Sequence, residues 1–554
     1  MPRRRPSARP PRRLALAAGS LLLLLVAAVI VAILLSSSAS QPSRGVVESI
    51  FQDDDYLLYS PTPTVIRTLN TLNTLRGLGV DRLRLTILWA AIAPDSASRV
   101  RPRHFDAADP AAYPPAAWGP YDRIVALARA RGIDVAFNVT APGPLWAMAS
   151  PAPNLKVANH YRPAPQEFGK FVSALGRRYS GSYVPHPASG KGTGRLPRVN
   201  YWTIWNEVNQ PGWLYPQWRF VAGQRVMNSP RLYRLYVDAA FGALRRTGHS
   251  PASDTILIGE LAPEGSERTR DGDPIPPIPF IRALYCVDSA FRPLRGTAAA
   301  LLHCPSGGGA QAFVRAHPAL FEATGFAHHP YSFFLAPNVQ MSDPNFAPLS
   351  DLSRLEGVLD RAFATYGVPR KLPIYLTEYG YESNPPNPFR GVSLRRQSLY
   401  LNEARYLAWK DPRVRSLAQF LLYDSAPNAA YPPGSPGYWS TFQTGLLFQH
   451  GAHKPALNAY RLPIFVPHPS AAPGASLLVW GMLRPAPNAI RQQALIQWRP
   501  VHGPYRTLTT VTTSDPSGFL TAHVQLPGTG ALRLAWSAPG GQILHSRAVG
   551  VRRE

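Results

Sequence analysis

Ile204-Trp205-Asn206-Glu207-Val208-Asn209 and Ile374-Tyr375-Leu376-Thr377-Glu378-Tyr379-Gly380 each join a short apolar run to a carboxylate. A short apolar run bounded by polar residues reads as a strand buried on both faces. Each glutamate therefore falls at the C-terminal end of a strand. The two are 171 positions apart (378 minus 207), room for three further strand and helix units. In a closed parallel barrel, side chains at the strand C-termini share one mouth. Two carboxylates facing each other there suit acid–base and nucleophilic chemistry on a glycosidic bond.

Working outward from these runs, strand patterns occur at residues 46–51, 82–89, 133–140, 199–206, 255–260, 325–331, 373–378 and 417–423. Helical patterns separate most of them, at 64–75, 121–130, 166–179, 230–246, 352–366 and 394–410. Eight strands alternating with helices predict a (β/α)8 barrel, an α/β fold, over residues 45–462. The loops after strands three to seven are long, as a carved functional face requires. From residue 463 to 554 the helical period vanishes and short β-type runs alternate with Gly and Pro turns. That stretch predicts a C-terminal β-sandwich. Its role is either to brace the barrel or to bind glycan. Trp480, Trp498 and Trp536 lie inside strand-like runs, where burial is the default, and favour bracing.

The N-terminal 13 residues hold six arginines, and residues 14–35 form a 22-residue apolar stretch without a charge. That length spans a bilayer, and the preceding arginines orient it with the N-terminus in the cytoplasm. The segment predicts a transmembrane anchor with an extracytoplasmic body. The small residues at 36–40 leave a removed signal as the alternative, and Arg12-Arg13 also permits twin-arginine export. A linker follows at 36–44. The formal charge of +26 comes almost wholly from Arg, since Lys numbers six. Beyond the N-terminus the arginines are scattered, without the basic stripe of a nucleic-acid groove. Codon bias and attraction to an anionic wall or lipid surface are the two readings of this charge. Cys286 and Cys304 are the only cysteines. In an exported chain an even pair reads as a disulfide, with two buried thiols as the alternative. No spacing suits a metal, and no organic cofactor motif is present; His328-His329-Pro330 is too short to chelate from one face.

Around the two glutamates, Trp202 and Trp205 supply apolar surroundings for Glu207, and Asn206 is placed to bond the sugar hydroxyl next to the reacting carbon. Arg84 alternates inward on the second strand, and Tyr331 follows the sixth; both suit donation to Glu378, which would lower its proton affinity. Trp146, Trp213, Tyr215, Trp218 and Trp439 fall in predicted mouth-side loops, where rings either stack on sugars or simply pack. Glu260 and Glu264 flank the end of the fifth strand and read as solvated or loop-fixing groups.

These residues carry a resemblance. Arg84 with Trp89, Asn206-Glu207, His329-Pro330-Tyr331 and Glu378 together resemble glycoside hydrolase clan A, the retaining β-glycosidases. Residues 205–209 are most similar to the family 39 type, with family 5 cellulase-like enzymes close behind. The resemblance implies that Glu207 is the acid/base and Glu378 the nucleophile, with no cofactor and an oligo- or polysaccharide substrate. Two positions depart from the pattern. Asn138 stands where many members have a third-strand His, and Tyr423-Asp424 where many have a Trp ending the eighth strand. Both positions would touch the sugar beside the nucleophile. Two rivals use the same fold: a non-hydrolytic glycan-binding or wall-organising protein, and a transglycosylase.

Overall fold

The computed structural model describes residues 46–59, 64–185, 194–305, 309–484 and 490–554. Eight parallel strands close a barrel: β1 (Glu48–Gln52), β2 (Arg82–Leu88), β3 (Asp134–Thr140), β4 (Tyr201–Ile204), β5 (Thr255–Leu261), β6 (Gly325–His328), β7 (Ile374–Leu376) and β8 (Val414–Phe420). Each strand pairs with its sequence neighbours, and β8 returns to β1, from Glu48 opposite Ser416 to Gln52 opposite Phe420.

Strand β2 shows why the sequence folds this way. Leu83, Leu85 and Ile87 point outward and join the large core between strands and helices. Arg82, Arg84 and Thr86 alternate inward, as a two-residue period demands. The barrel interior has its own apolar layer of Ile50, Ala136, Tyr201, Leu257, Ala327 and Ala418, with Tyr375 packed on it. Small alanines on three strands leave room for two tyrosine rings, so the interior is filled. Arg84 and Asn138 lie one inward step further toward the mouth than this layer, so the polar groups stand on a solid floor.

The helices obey a 3.6-residue period. In the helix Pro165–Arg178 the residues Phe168, Phe171, Val172 and Leu175 are buried against the barrel, and Pro165 opens it where a missing N–H costs nothing. Among the described residues no helix is long and apolar enough to cross a membrane. The apolar stretch 14–35 lies outside the described residues.

The C-terminal part forms β9 (Ile464–Phe465), β10 (Ser470–Ala471), β11 (Ser476–Met482), β12 (Gln492–Pro500), β13 (Arg506–Thr513), β14 (Phe519–Gln525), β15 (Gly530–Ser537), β16 (Ile543–His545) and β17 (Val549–Arg553). They make a three-stranded sheet, β9-β11-β14, and a six-stranded one around β17-β15-β12-β13. Residues 543–553 hold two strands, β16 and β17; both pair with β15, at different points along it. Leu477, Val479, Ile496, Leu532 and Leu534 fill the space between the sheets. Trp480, Trp498 and Trp536 are buried, which removes them as a glycan platform. Trp480, Met482 and Phe519 belong instead to the barrel's core, and Arg484 donates to Ser49 Oγ and to Gly79 O, at the N-terminal end of the barrel. The sandwich therefore braces the barrel at the end opposite the strand C-termini.

Cys286 and Cys304 are joined in a disulfide. Alkylation of the unreduced chain followed by mass spectrometry is expected to find no labelled thiol; two labelled cysteines would contradict the bridge.

Candidate active site

Glu207 and Glu378 meet at the C-terminal ends of the strands, on the wall of a cleft of about 240 Å³. One carboxylate oxygen from each, and a ring nitrogen of His329, lie within 4.8 Å of one another. The backbone brings them there by sharp turns. After β4, Trp205 and Glu207 have φ of 68° and 36°, a left-handed conformation that non-glycine residues rarely adopt. Trp205 turns outward, stacks on Tyr236 at 4.8 Å and is fully buried, which anchors the turn. Asn206 and Glu207 are left facing the mouth.

Glu378 is held by two donors. Tyr331 donates its hydroxyl to Oε1 at 2.8 Å, and Arg84 Nη1 donates to Oε2 at 3.2 Å. Arg84 also donates from Nη2 to Asn206 Oδ1 at 2.6 Å and to Glu260 Oε2 at 2.9 Å, and from Nη1 to Gln52 Oε1. His329 bridges two carboxylates, with Nδ1 3.0 Å from Glu207 and Nε2 2.6 Å from Glu260. Arg84, Glu260 and His329 are sealed from solvent, whereas the side chains of Glu207 and Glu378 keep 20% and 13% of their exposure. The two glutamates are thus the reachable part of a buried charge cluster.

Burial alone would neutralise Glu260, but Arg84 and His329 outweigh it and hold its carboxyl at about 2. Burial likewise disfavours the His329 imidazolium, yet Glu378, Glu207 and Glu260 outweigh that and raise it to about 10. Burial pushes Glu378 up; His329, Arg84 and the Tyr331 hydroxyl pull it down, while the Glu207 carboxylate adds to the rise, and the balance is upward.

Glu260 is a correction to its reading as a solvated or loop-fixing group. It is fully buried and central to the cluster. In β5, Leu257 points inward and Ile256 and Ile258 outward, so alternation would send residue 260 outward. A β-bulge between Gly259 and Leu261, with Glu260 at φ 51°, turns it into the barrel instead. A Cβ on Gly259 would lie 2.5 Å from Ala327 O, so the bulge requires glycine there.

Four other residues named from the sequence, as binding or supporting, lie off the cleft wall. Asn138 is fully buried below it and donates to Thr203 Oγ1 at 2.7 Å and to Trp205 O, so it supports the β4 turn rather than touching a sugar. Trp89 is fully buried against Phe171. Trp146 packs edge-on to Trp89 and donates to Pro94 O. Tyr423 stacks on Tyr56 with ring centres 3.9 Å apart. Strand β8 ends three residues before Tyr423, so Phe420 and Leu421 line the cleft in its place, with Trp213 and Phe442 nearby. Asp54 and Asp55, which follow β1, also line it and were not singled out from the sequence. A larger groove of about 840 Å³ lies between the helix Leu394–Lys410 and the sandwich; it is remote from both glutamates and holds no comparable carboxylate pair.

Glu207, His329 and Glu378 offer three close ligand atoms. Both His329 nitrogens already serve carboxylates, and the Arg84 guanidinium already faces Glu378. The donor set is that of an ion-pair cluster rather than of a cation site.

No protein-family profile matches the sequence, and no curated protein matches it. Solved structures do. A GH5_18 chain from Bifidobacterium longum subsp. infantis aligns at 13% identity over 75% of this chain and 78% of its own, with a TM-score of 0.44. A GH5_18 chain from Streptomyces cattleya, in complex with Manb1-4GlcNAc, aligns at 15% over 76% and 79%, at 0.43. The endo-beta-1,4-mannanase from Thermotoga petrophila aligns at 12% over 93% and 98%, at 0.39. At these scores the likeness supplies no argument about chemistry, which rests on the side chains of this chain alone.

Proposed function

We propose that this protein is a retaining β-glycosidase in which Glu378 is the nucleophile and Glu207 the acid/base. The observation that carries this reading is the approach of the two carboxylates to within 4.8 Å across a cleft. Retaining enzymes hold their carboxyl groups about 5–5.5 Å apart, and inverting ones about 6.5–9.5 Å, to admit a water.

The charge cluster supports the division of roles. Arg84 and the His329 imidazolium carry two positive charges and Glu260 one negative charge. With Glu378 ionised as the nucleophile, the charges of Arg84, His329, Glu260 and Glu378 balance. Glu378 Oε2 faces the Arg84 guanidinium, which has no acceptor, so a proton there would be opposed. In the acid role Glu207 delivers a proton from the oxygen turned from His329, and His329 Nδ1–H donates to the other. In the first step Glu378 attacks the anomeric carbon, the glycosidic C–O bond breaks, and the Glu207 proton passes to the leaving oxygen. Glu378 is now an ester and Glu207 a carboxylate, so the net charge of the cluster is unchanged. Glu207 then takes a proton from water, whose oxygen displaces Glu378. A buried cluster resists any change in its net charge, and double displacement makes none.

A screen of aryl β-glycosides with the full chain in detergent tests the reading. Hydrolysis with release of the β-anomer, followed by proton NMR, is expected; release of the α-anomer would show inversion and overturn the assignment. Tyr331→Phe removes one donor to Glu378, so the acid limb of the pH–rate profile should move to higher pH and kcat should fall about 10- to 100-fold. An unmoved acid limb would mean that the hydroxyl does not tune Glu378.

Export to the cell surface is part of the same proposal. It is supported by the Cys286–Cys304 disulfide, which persists in oxidising compartments, and by the arginine-flanked apolar stretch at 14–35. Retention in the membrane fraction after a carbonate wash is expected; a mature N-terminus near Ser40 in the medium would replace the anchor with a cleaved signal.

A further inference from the structure

The chain is strongly basic, but its cleft is not. Among the described residues that wall it, the charged ones are Asp54, Asp55, Glu207 and Glu378, and none is Lys, Arg or His. Arg84 and His329 lie behind the wall and are spent within the neutral cluster described above. Asp54 and Asp55 are therefore a local surplus of negative charge.

Their bonding leaves them able to receive a ligand. Asp54 accepts from Thr86 N–H at 3.1 Å on Oδ1 and from Gln52 Nε2 at 2.8 Å on Oδ2. With the Thr86 side chain also bonded to it, Asp54 is oriented by Gln52 and Thr86, and of its roughly four acceptor positions at least one stays free. Gln52 is itself fixed by Arg84, so Asp54 is coupled to the cluster that holds Glu378. Among the described residues, Asp55 accepts from Ser425 Oγ alone, at 3.2 Å. Neither forms an ion pair among the described residues. The segment is set by Asp53, a buried cap that accepts from the backbone N–H groups of Tyr56, Leu422 and Leu422's neighbour Tyr423 and so ties the end of β1 to the end of β8. The two carboxylates stand on a rigid mount at the mouth, beside the exposed ring of Phe442.

We propose that Asp54 and Asp55 are specificity-determining residues that set the charge of the sugar accepted: uncharged or amine-bearing glycans enter, and uronic-acid glycans are excluded. This rests on the glycosidase reading. Sugar hydroxyls and ammonium groups are donors, which two pre-oriented carboxylates accept. A uronate would add a carboxylate to a wall that already carries Asp54 and Asp55, with no exposed cation to pair it, and like charges in a half-buried site repel strongly.

The test uses the full chain with p-nitrophenyl β-glucoside, β-mannoside, β-glucosaminide with a free amine, and β-glucuronide. In the wild type, kcat/KM for at least one neutral or amino sugar should exceed that for the glucuronide at least 100-fold. Asp55→Asn, which loses only the Ser425 contact, should narrow the ratio about tenfold by relieving the glucuronide. Asp54→Asn should narrow it further, with KM moving more than kcat. Glucuronide turnover equal to that of the neutral sugars, or a ratio unmoved in both variants, would overturn the proposal. Failure of the wild type on every glycoside would instead sink the glycosidase reading. Calorimetric binding then still judges the charge rule: a chitosan oligomer should bind more tightly than an oligogalacturonate, and Asp55→Asn should shrink the difference. The reverse order would refute it.

Discussion

Glu378→Ala is expected to lose at least about 10⁴-fold in kcat on every glycoside, because no other group on the cleft wall is both placed and ionised to attack the anomeric carbon. Glu207→Ala should fail differently. Its loss falls on the step that protonates the leaving oxygen, typically about 10²–10⁴-fold. An activated aryl leaving group needs little protonation, so its first step should largely survive and the glycosyl-enzyme should accumulate. Azide should then restore turnover and yield a β-glycosyl azide, since a small anion attacks without a general base. With Glu378→Ala, azide occupies the space of the lost carboxylate and should yield the α-azide. NMR of the products reads the anomers directly. The opposite pairing of anomers and variants would reverse the roles, and full activity in both would move the chemistry to another site.

The second large effect belongs to Glu260. Replacing it by alanine leaves Arg84 and His329 as two sealed cations with one partner removed, a change that costs about 3–5 kcal/mol. The expected result is a large fall in Tm together with lost activity. Glu260→Gln keeps the shape and separates charge from packing. The pH dependence gives the sign. His329, raised to about 10 from 6.5, contributes stability that is fully present below pH 6.5 and is lost as pH rises through about 10. Glu260, lowered to about 2 from 4.5, contributes stability that is present above pH 4.5 and is lost as pH falls through about 2. Both contributions are complete between pH 4.5 and 6.5. The Tm gap between wild type and Glu260→Gln should be widest there and close toward pH 10. A gap that is constant across this range would show that Glu260 acts by packing alone.

The chain's two larger periodicities were legible without coordinates. Alternation in residues 82–88 is enough to send Arg84 inward and Leu83, Leu85 and Ile87 outward, because a strand has no other way to divide its side chains. The apolar runs ending at Glu207 and Glu378 likewise put both carboxylates at one end of a barrel, since parallel strands all finish on the same face. Tryptophans 480, 498 and 536 sit in β-type runs whose inward positions have to be filled.

What failed was whatever depended on a break in period or on where a strand stops. Glu260 reads from the sequence as a solvated or loop-fixing group because a one-residue bulge reverses its direction, and a bulge leaves no mark in hydrophobic pattern beyond a single Gly259. Tyr423 was misplaced because β8 ends at Phe420, and strand ends are decided by the neighbouring strand's hydrogen bonds rather than by local composition. Asn138 lies on β3 as expected and Trp89 directly follows β2, yet Asn138 is taken up by the Trp205 carbonyl and Trp89 by packing on Phe171. Asp54 and Asp55 read locally as the acidic first turn of a short helix. Sequence alone therefore determined the barrel, the brace behind it and the placement of two carboxylates at its mouth. Only the tertiary structure decided that those carboxylates share a buried cluster with Arg84, His329 and Glu260, because that depends on distances between residues that the chain keeps tens to hundreds of positions apart.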